Sequence, residues 1–338
     1  MKQIFPFLFC CLLLLHTVNC FSQDFHLSQY EASPLYLNPS MTGMFNGYYR
    51  AHAHYRNQWA SVASPFVTTS ASFDMPYKEF GIGALILNDR AGAGNYNVLN
   101  FVISGAYDMS IGKYIHHHLS FGAQVGFIHK SVNMDKLSFH NQYTYTNNLG
   151  FDPGLPTGEV MDNTSIFIPE MNASMMYYYS NDMSRVNPYI GFSVFHLTQP
   201  NESFLGNTNK LPRRYVIHAG SKVNITPTIQ VEPRFLAMNQ KNAKELNMTI
   251  IVNYYYKAQD IWLFGGPTYR FFHFSEFNTS DAVIANIGLK YGNYIYRFSY
   301  DINTSSLSSI SKGKGGFEFS VTYIRKAISP PKPACPRL

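Results

Sequence analysis

Charge is scarce in this chain. Asp, Glu, Lys and Arg supply only 14% of its 338 residues, against roughly 25% in an ordinary soluble domain. A surface facing water on all sides would have too little charge to work with. Long apolar runs are also missing. Beyond the first residues, no stretch approaches the ~20 apolar residues of a membrane helix. Cysteine is nearly absent: Cys10, Cys11 and Cys20 lie at the extreme N-terminus and only Cys335 stands elsewhere. Once the first segment is removed, an intrachain disulfide or a CxxC metal site is excluded. Nucleophile-elbow, Walker and dinucleotide motifs are not found; Gly191-Phe192-Ser193-Val194-Phe195 lacks the closing glycine of GxSxG.

What is present is aromatic and polar. There are 25 Tyr and 27 Phe but 2 Trp, and the mean hydropathy is −0.15. Low charge with many aromatics and a neutral average suits a transmembrane β-barrel, in which each strand has one apolar and one polar face. Disorder, coiled coil and helical membrane protein fit poorly. The net charge of +6 is spread along the chain, which gives nucleic-acid binding little support.

Residues 1–22 have the form of a signal peptide: Lys2, an apolar run over 4–15, and small residues before a cut after Ser22. A lipid anchor on Cys20 fits less well, because Asn19 is a poor lipobox residue. The mature chain is therefore expected in the outer membrane.

From there on, side chains alternate with period two. In 47–59, Arg50, His52, His54, Arg56 and Gln58 share one face and Tyr49, Ala51, Ala53, Tyr55 and Trp59 the other. Leu119, Phe121, Ala123, Val125 and Phe127 repeat the pattern, as do Tyr294, Tyr296, Phe298 and Tyr300 opposite Arg297, Ser299 and Asp301. The alternation predicts strands at 47–59, 66–75, 80–88, 96–109, 117–130, 166–179, 187–197, 214–224, 229–237, 244–256, 261–271, 281–291, 294–301 and 316–325. These make an all-β, antiparallel barrel of about 14 strands, an even number as single-chain bacterial barrels require. Connections after even strands are short and those after odd strands mostly longer, which places both chain ends on the periplasmic side. Residues 23–46 precede the barrel (47–325) and are too apolar for a free tail, so they are expected in the lumen or under its mouth. The Pro-rich 326–338 cannot extend the sheet and reads as a periplasmic tail.

The chain resembles a known family. Residues 28–43 (SQYEASPLYLNPSMTG), Tyr55-Arg56-Asn57-Gln58-Trp59, Ser72-Phe73-Asp74, residues 300–323 (YDINTSSLSSISKGKGGFEFSVTY) and Cys335-Pro336-Arg337 are similar to the signatures of PorP/SprF outer-membrane proteins of the type IX secretion and gliding-motility apparatus. Leu338 stands where that family ends on an aromatic. The resemblance implies a fourteen-stranded barrel that supports export or surface attachment of large cargo proteins, such as gliding adhesins, bearing a C-terminal sorting domain. It also implies contact with periplasmic and outer-membrane parts of the type IX machinery.

The residues themselves offer three kinds of candidate. Arg50, Arg56, Asp74, Glu232, Arg234, Arg297, Asp301 and Glu318 fall at inward parity, because a charge facing lipid at the midplane would cost roughly 2–4 kcal/mol. They are expected to pair inside the barrel, and Arg50 and Arg56 facing inward on the first strand, with Glu318 inward on the last, predict that strand one pairs with strand fourteen. The bland reading is a network that stiffens the barrel; the functional one is a docking surface for a plug or a cargo end. In the long connection 131–165, Tyr143, Tyr145 and Phe151 are candidate partner anchors. His52 with His54 lacks an assured third ligand, and His116-His117-His118, at a short turn, cannot all face one ion, so no metal and no cofactor is assigned. The expected partners are outer-membrane lipid, the type IX machinery and its sorting-domain cargo. The rival function is passive transport of small solutes, hydrophobic ones included. An enzyme would need a paired His and carboxylate at a loop rim, which the sequence does not place.

Overall fold

The computed structural model describes residues 24–326, apart from 61–63, 93, 113–115, 145–149, 160–163, 182, 275–276 and 307. The signal segment and the tail that holds Cys335 lie outside the described residues. Fourteen antiparallel strands close into one barrel. They are β1 (Tyr49–Gln58), β2 (Phe66–Tyr77), β3 (Phe80–Ala91), β4 (Tyr96–Ile111), β5 (His117–Ser131), β6 (Ser165–Tyr179) and β7 (Val186–Phe195), then β8 (Arg214–Thr226), β9 (Ile229–Gln240), β10 (Ala243–Tyr256), β11 (Ile261–Phe274), β12 (Phe277–Tyr291), β13 (Tyr294–Asn303) and β14 (Lys314–Arg325). Each strand pairs with its neighbours in sequence, and β1 pairs β14 along its whole length. The β1–β14 pairing closes the ring, so that every strand has a neighbour on both sides, as a membrane-spanning sheet requires.

Period-two alternation decides which face turns inward. Along β1, Arg50, His52, His54 and Arg56 are buried while Ala53 and Tyr55 are exposed on the outer face. Outward aromatics from neighbouring strands meet at both rims: Tyr49 lies 5.5 Å from Phe73 at one end, and Phe127 stacks on Phe167 at 4.6 Å at the other. These rings form the interfacial girdles expected of such a barrel.

The end that carries Tyr49 and Arg325 has short turns, such as 78–79, 227–228 and 292–293. The opposite end has the two longest connections, 132–164 and 196–213. Three connections there are shorter than the pattern predicts, most clearly 241–242, where Lys241 takes a positive φ of 53° in a two-residue hairpin. At this end β7 stops early. It pairs β6 only from Ala173 to Tyr178, and His196, with φ of 57°, turns the chain inward. Leu211, at the far side of that connection, packs against Ile128 and Ile168, so the long connection leans over the barrel mouth.

Residues 24–46 occupy the lumen. They form three short turns: Tyr30–Ala32, the helical turn Pro34–Leu37 (α1), and Pro39–Met41. Pro34 and Pro39 each open a turn and stop the one before, because their rings fix φ and remove an N–H. Asn38, extended between them, caps the Pro39–Met41 turn by accepting from the Ser40 N–H at 2.9 Å. All residues from 32 to 42 are buried. Two apolar clusters fix the plug against the wall, one of Tyr30, Leu37 and Met41 with Met176, Tyr178 and Leu236, the other of Leu27, Leu35 and Tyr36 with Leu85, Leu87 and Val102.

Candidate functional site: the contact between plug and barrel wall

An irregular segment buried in a lumen must find partners for its backbone groups. Here the wall supplies them. The N–H groups of Ser28 and Gln29 donate to the two oxygens of Glu318, at 2.6 and 2.7 Å. The Ser28 hydroxyl donates to Asp301 at 2.8 Å and accepts from Arg56 at 2.7 Å and Arg270 at 2.9 Å. Gln29 donates to the Ser299 hydroxyl and the Glu318 carbonyl and accepts from Ser320. Around these contacts Arg56 pairs with Glu318 and Asp301, and Arg270 with Asp301 and Asp281. Arg56, Arg270, Asp301 and Glu318 are each no more than 2% exposed. Buried charges survive only when paired and hydrogen-bonded, and two arginines against three carboxylates meet that condition.

A second contact lies where the plug leaves the lumen. Arg50 grips Asp74 bidentately at 2.9 and 2.7 Å, the Gly43 N–H donates to the same carboxylate at 2.7 Å, and Arg50 also reaches the Met41 carbonyl at 3.3 Å. Between the two, wall side chains satisfy the turn carbonyls: Gln124 donates to Leu35, Ser193 to Leu37 and Ser120 to Ser40.

A third contact holds the start of the plug near the long-connection end. The Asp24 carboxylate accepts from His196 Nε2 at 2.7 Å and pairs with Arg214 at 3.2 Å, while His196 Nδ1 meets Glu170 at 2.8 Å. Both ring nitrogens thus face carboxylates and donate. Burial opposes charge on His196, but Asp24 and Glu170 outweigh it and raise its pKa to about 9. Burial likewise opposes ionisation of Asp24, and His196 and Arg214 pull its pKa well below the usual carboxylate range. His26 behaves in the opposite way. Burial, with Arg270 and Arg56 close by, keeps it neutral. Its Nδ1 faces Glu245 at 3.4 Å and its Nε2 lone pair faces Arg56 at 3.3 Å.

The family model described as type IX secretion system membrane protein PorP/SprF matches residues 19–323. The chain belongs to that family. It is an outer-membrane barrel of the type IX secretion class. No curated protein matches the sequence. Among solved structures, the chain is similar to the CymD monoaromatic hydrocarbon channel, with TM-score 0.51 and 13% identity over 91% of this chain and 96% of that one. It is also similar to the Pseudomonas putida toluene transporter TodX, with TM-score 0.47 and 10% identity over 87% and 93%. A Pseudomonas aeruginosa FadL homologue gives TM-score 0.49 and 9% identity over 85% and 92%. At 13% identity, the likeness to CymD speaks to the barrel fold alone.

The stretches that resemble PorP/SprF are far apart in sequence and meet around the plug. Ser28 and Gln29 from the opening signature, Arg56 from Tyr55-Arg56-Asn57-Gln58-Trp59, and Asp301 and Glu318 from the closing stretch form one network. Asp74 and Gly43 form the other with Arg50. Arg297 joins neither: it bonds the Thr322 hydroxyl at 3.2 Å and lies 5.6 Å over the Phe264 ring. Glu232 and Arg234 pair with each other, and Arg234 also pairs with Glu31 of the plug. Tyr143 and Phe151 face each other at 5.5 Å across a two-stranded loop sheet (Tyr143–Thr144 with Gly150–Phe151) and are exposed; Tyr145 lies outside the described residues. His54 reaches Glu318 at 3.1 Å and His52 the Thr322 hydroxyl at 3.0 Å. Sequence reading missed Arg270, Glu170, Arg214 and the plug's own Asp24. The inward-parity rule that picked out Arg297 was available for Arg270, between outward Tyr269 and Phe271. Nothing local in the sequence marks Asp24.

Proposed function

We propose that this PorP/SprF barrel supports export or surface attachment of a cargo protein with a C-terminal sorting domain, acting as a plugged scaffold and not as an open pore. The observation that carries this is the convergence of the family-like residues on the plug–wall contact: they hold residues 24–46 in the lumen. With the lumen occupied, recognition falls to the two rims. We assign the short-turn end, where Tyr49 and Arg325 sit, to the periplasm, where the type IX machinery would meet it. The long connections 132–164 and 196–213 then face outward, toward cargo. The family and fold are those of a secretion or transport membrane protein, and the charged residues described above serve to hold the plug, with no reaction assigned to them.

The test is a cell lacking this chain. Cargo with a sorting domain should fail to appear at the surface and return when the intact gene is restored. Normal display without the chain would overturn the proposal. Passage of small solutes, hydrophobic ones included, is the rival. Purified barrel in liposomes should not increase uptake of toluene-sized or sugar-sized solutes; partner-free uptake at porin-like rates would favour transport.

A further inference from the structure

A cavity of about 840 Å3 remains in the lumen at the short-turn end, within the ~300–1,000 Å3 range of ligand sites. Residues 28–32 of the plug close its inner end, and the turns around Asn181 and Thr226 frame its mouth. It is therefore a blind socket: what enters must leave by the same way. Charges on its wall are engaged with one another. Glu31 and Glu232 pair with Arg234, Glu232 also faces Lys222 and Arg297, and Lys222 and Lys290 are partnered. What the wall offers a ligand is side-chain amides held in place. Asn224 donates its amide to the Ser184 carbonyl, Asn253 to Glu232 and Asn286 to the Thr268 hydroxyl, each at 3.0 Å. Each bond fixes the side chain and leaves its carbonyl oxygen accessible, with no hydrogen-bond partner among the described residues. Gln230, on the same wall, has no side-chain partner among them. At the mouth, Trp262 lines the cavity while stacked on Tyr255 at 4.9 Å, and Phe264 lies deeper on the same strand.

We infer that this socket binds a short uncharged oligosaccharide. The chemistry stands on the wall itself; that the ligand comes from the periplasm rests on the orientation proposed above. A polar lining is ordinary for a barrel lumen. Amides fixed by one bond and open at the carbonyl oxygen are more than that: they are acceptors set in advance for hydroxyl donors, and little further ordering is needed when a ligand arrives. Sugar rings carry hydroxyls around their edge and C–H groups on their faces. One ligand therefore meets both the amides and the indole of Trp262, whose ring face is negative. A hydrocarbon would strip water from the amides and give nothing back. A strongly charged ligand would have to break pairs already made around Arg234 and Glu232. The closed inner end favours a bound ligand over a solute in transit.

The experiment uses the full barrel in a sugar-free zwitterionic detergent. The chain has 2 Trp, and Trp59 lies at the far end against Phe66, so in a Trp59→Phe background the emission reports Trp262 alone. Titration with the trimer of N-acetylglucosamine and with maltotriose should give a saturable change in emission with at least one of them. A tenfold preference for the N-acetyl sugar assigns the site to cell-wall-type glycan, and a preference for maltotriose to plain hexose chains; either supports the proposal. Gln230→Leu with Asn224→Leu should weaken binding at least tenfold. Asn88→Leu with Asn97→Leu removes two amides that bond each other at the opposite end and should leave binding intact. Folding of each variant is checked by heat-modifiable gel mobility, and the titration of the Trp59→Phe barrel stands without them. No saturable change up to the solubility limit of either trimer, or unchanged affinity in the folded Gln230 and Asn224 variant, would overturn the proposal. So would an equal response to toluene or to a hexapeptide of Asp and Glu, by pointing to an apolar or an anion site. Failure here leaves the cargo-display test untouched, because that test measures transport in cells without reference to this socket.

Discussion

Arg56 on β1 and Glu318 on β14 stand directly opposite each other where the barrel closes, and they pair inside the lumen. The same carboxylate accepts the N–H groups of Ser28 and Gln29. One side chain thus ties the seam of the barrel to the plug. Glu318→Gln removes the charge but keeps the shape, and leaves Arg56 with Asp301 as its remaining carboxylate partner. Breaking a buried pair from one side costs about 3–5 kcal/mol. The variant should lose its heat-resistant folded band at lower temperature, and protease should trim residues 24–46 from barrel that is still folded. The double variant Arg56→Met with Glu318→Leu should be less destabilised than the sum of the single changes. Unchanged trimming in Glu318→Gln would show that the plug does not depend on this carboxylate.

His196 gives the plug a pH dependence. Its pKa rises from about 6.5 in an unfolded chain to about 9 in the fold. A raised pKa means that the stabilisation is fully present below about pH 6.5 and is lost as pH rises through about 9. The contribution is on the order of 3 kcal/mol. Between pH 6.5 and 9.5 the wild-type unfolding midpoint should fall, and His196→Gln should show a flatter profile because it has no proton to lose there. Asp24, whose pKa is lowered, acts at the other extreme: its contribution is lost as pH falls below the usual carboxylate range. Parallel wild-type and His196→Gln curves across the alkaline range would remove His196 from the latch.

The barrel was legible in the sequence because its rule is local. A strand with a two-residue period shows its faces within any ten residues, and the closure of β1 on β14 followed from inward charges of opposite sign, Arg50 and Arg56 on the first strand and Glu318 on the last. The plug was legible only as a segment too apolar to be free. Its contacts were not, since the Ser28–Glu318 bond joins residues 290 apart in sequence. Arg297 shows where parity stops being informative. It shares an inward face with Asp301 but sits four residues nearer the short-turn end, about 13 Å along the strand at ~3.3 Å per residue. Parity gives the side of the wall, not the height on it. Asp24 and Glu170 meet through His196, which belongs to a turn and follows no alternation at all.

Glycines on the inner wall leave room for the plug, and filling that room tests it without touching a charge. At Gly122 a side chain would run into the backbone of Pro39 and Ser40, and at Gly81 into the carbonyl of Thr42. Neither clash is with the far end of a flexible side chain, so the plug must move. Gly122→Val should displace the Pro39–Met41 turn while the β4–β5 ladder persists, because valine is at home in strands. The expected outcome is faster proteolysis of residues 24–46 and, in liposomes, a new permeability to small solutes. A folded Gly122→Val barrel that stays tight and resists trimming would mean that the turn can shift without opening the lumen.

The outer rim carries the last prediction. The aromatic pair Tyr143 and Phe151 is exposed, at 57% and 43%, on a small hairpin far from the plug. Exposed aromatics on a loop held by a rigid scaffold are poor value for solubility and good anchors for a partner. They do not contribute to the lumen contacts, so their loss should spare the barrel. The change Tyr143→Ser with Phe151→Ser should leave heat-modifiable mobility and the unfolding midpoint within about 0.5 kcal/mol of wild type, as for surface positions in general. If this loop meets the cargo, surface display of a sorting-domain cargo should fall several-fold in the same cells. Deletion of residues 141–162 should then have at least as large an effect, with the barrel still folded. Full display in both variants would exclude this loop as the contact.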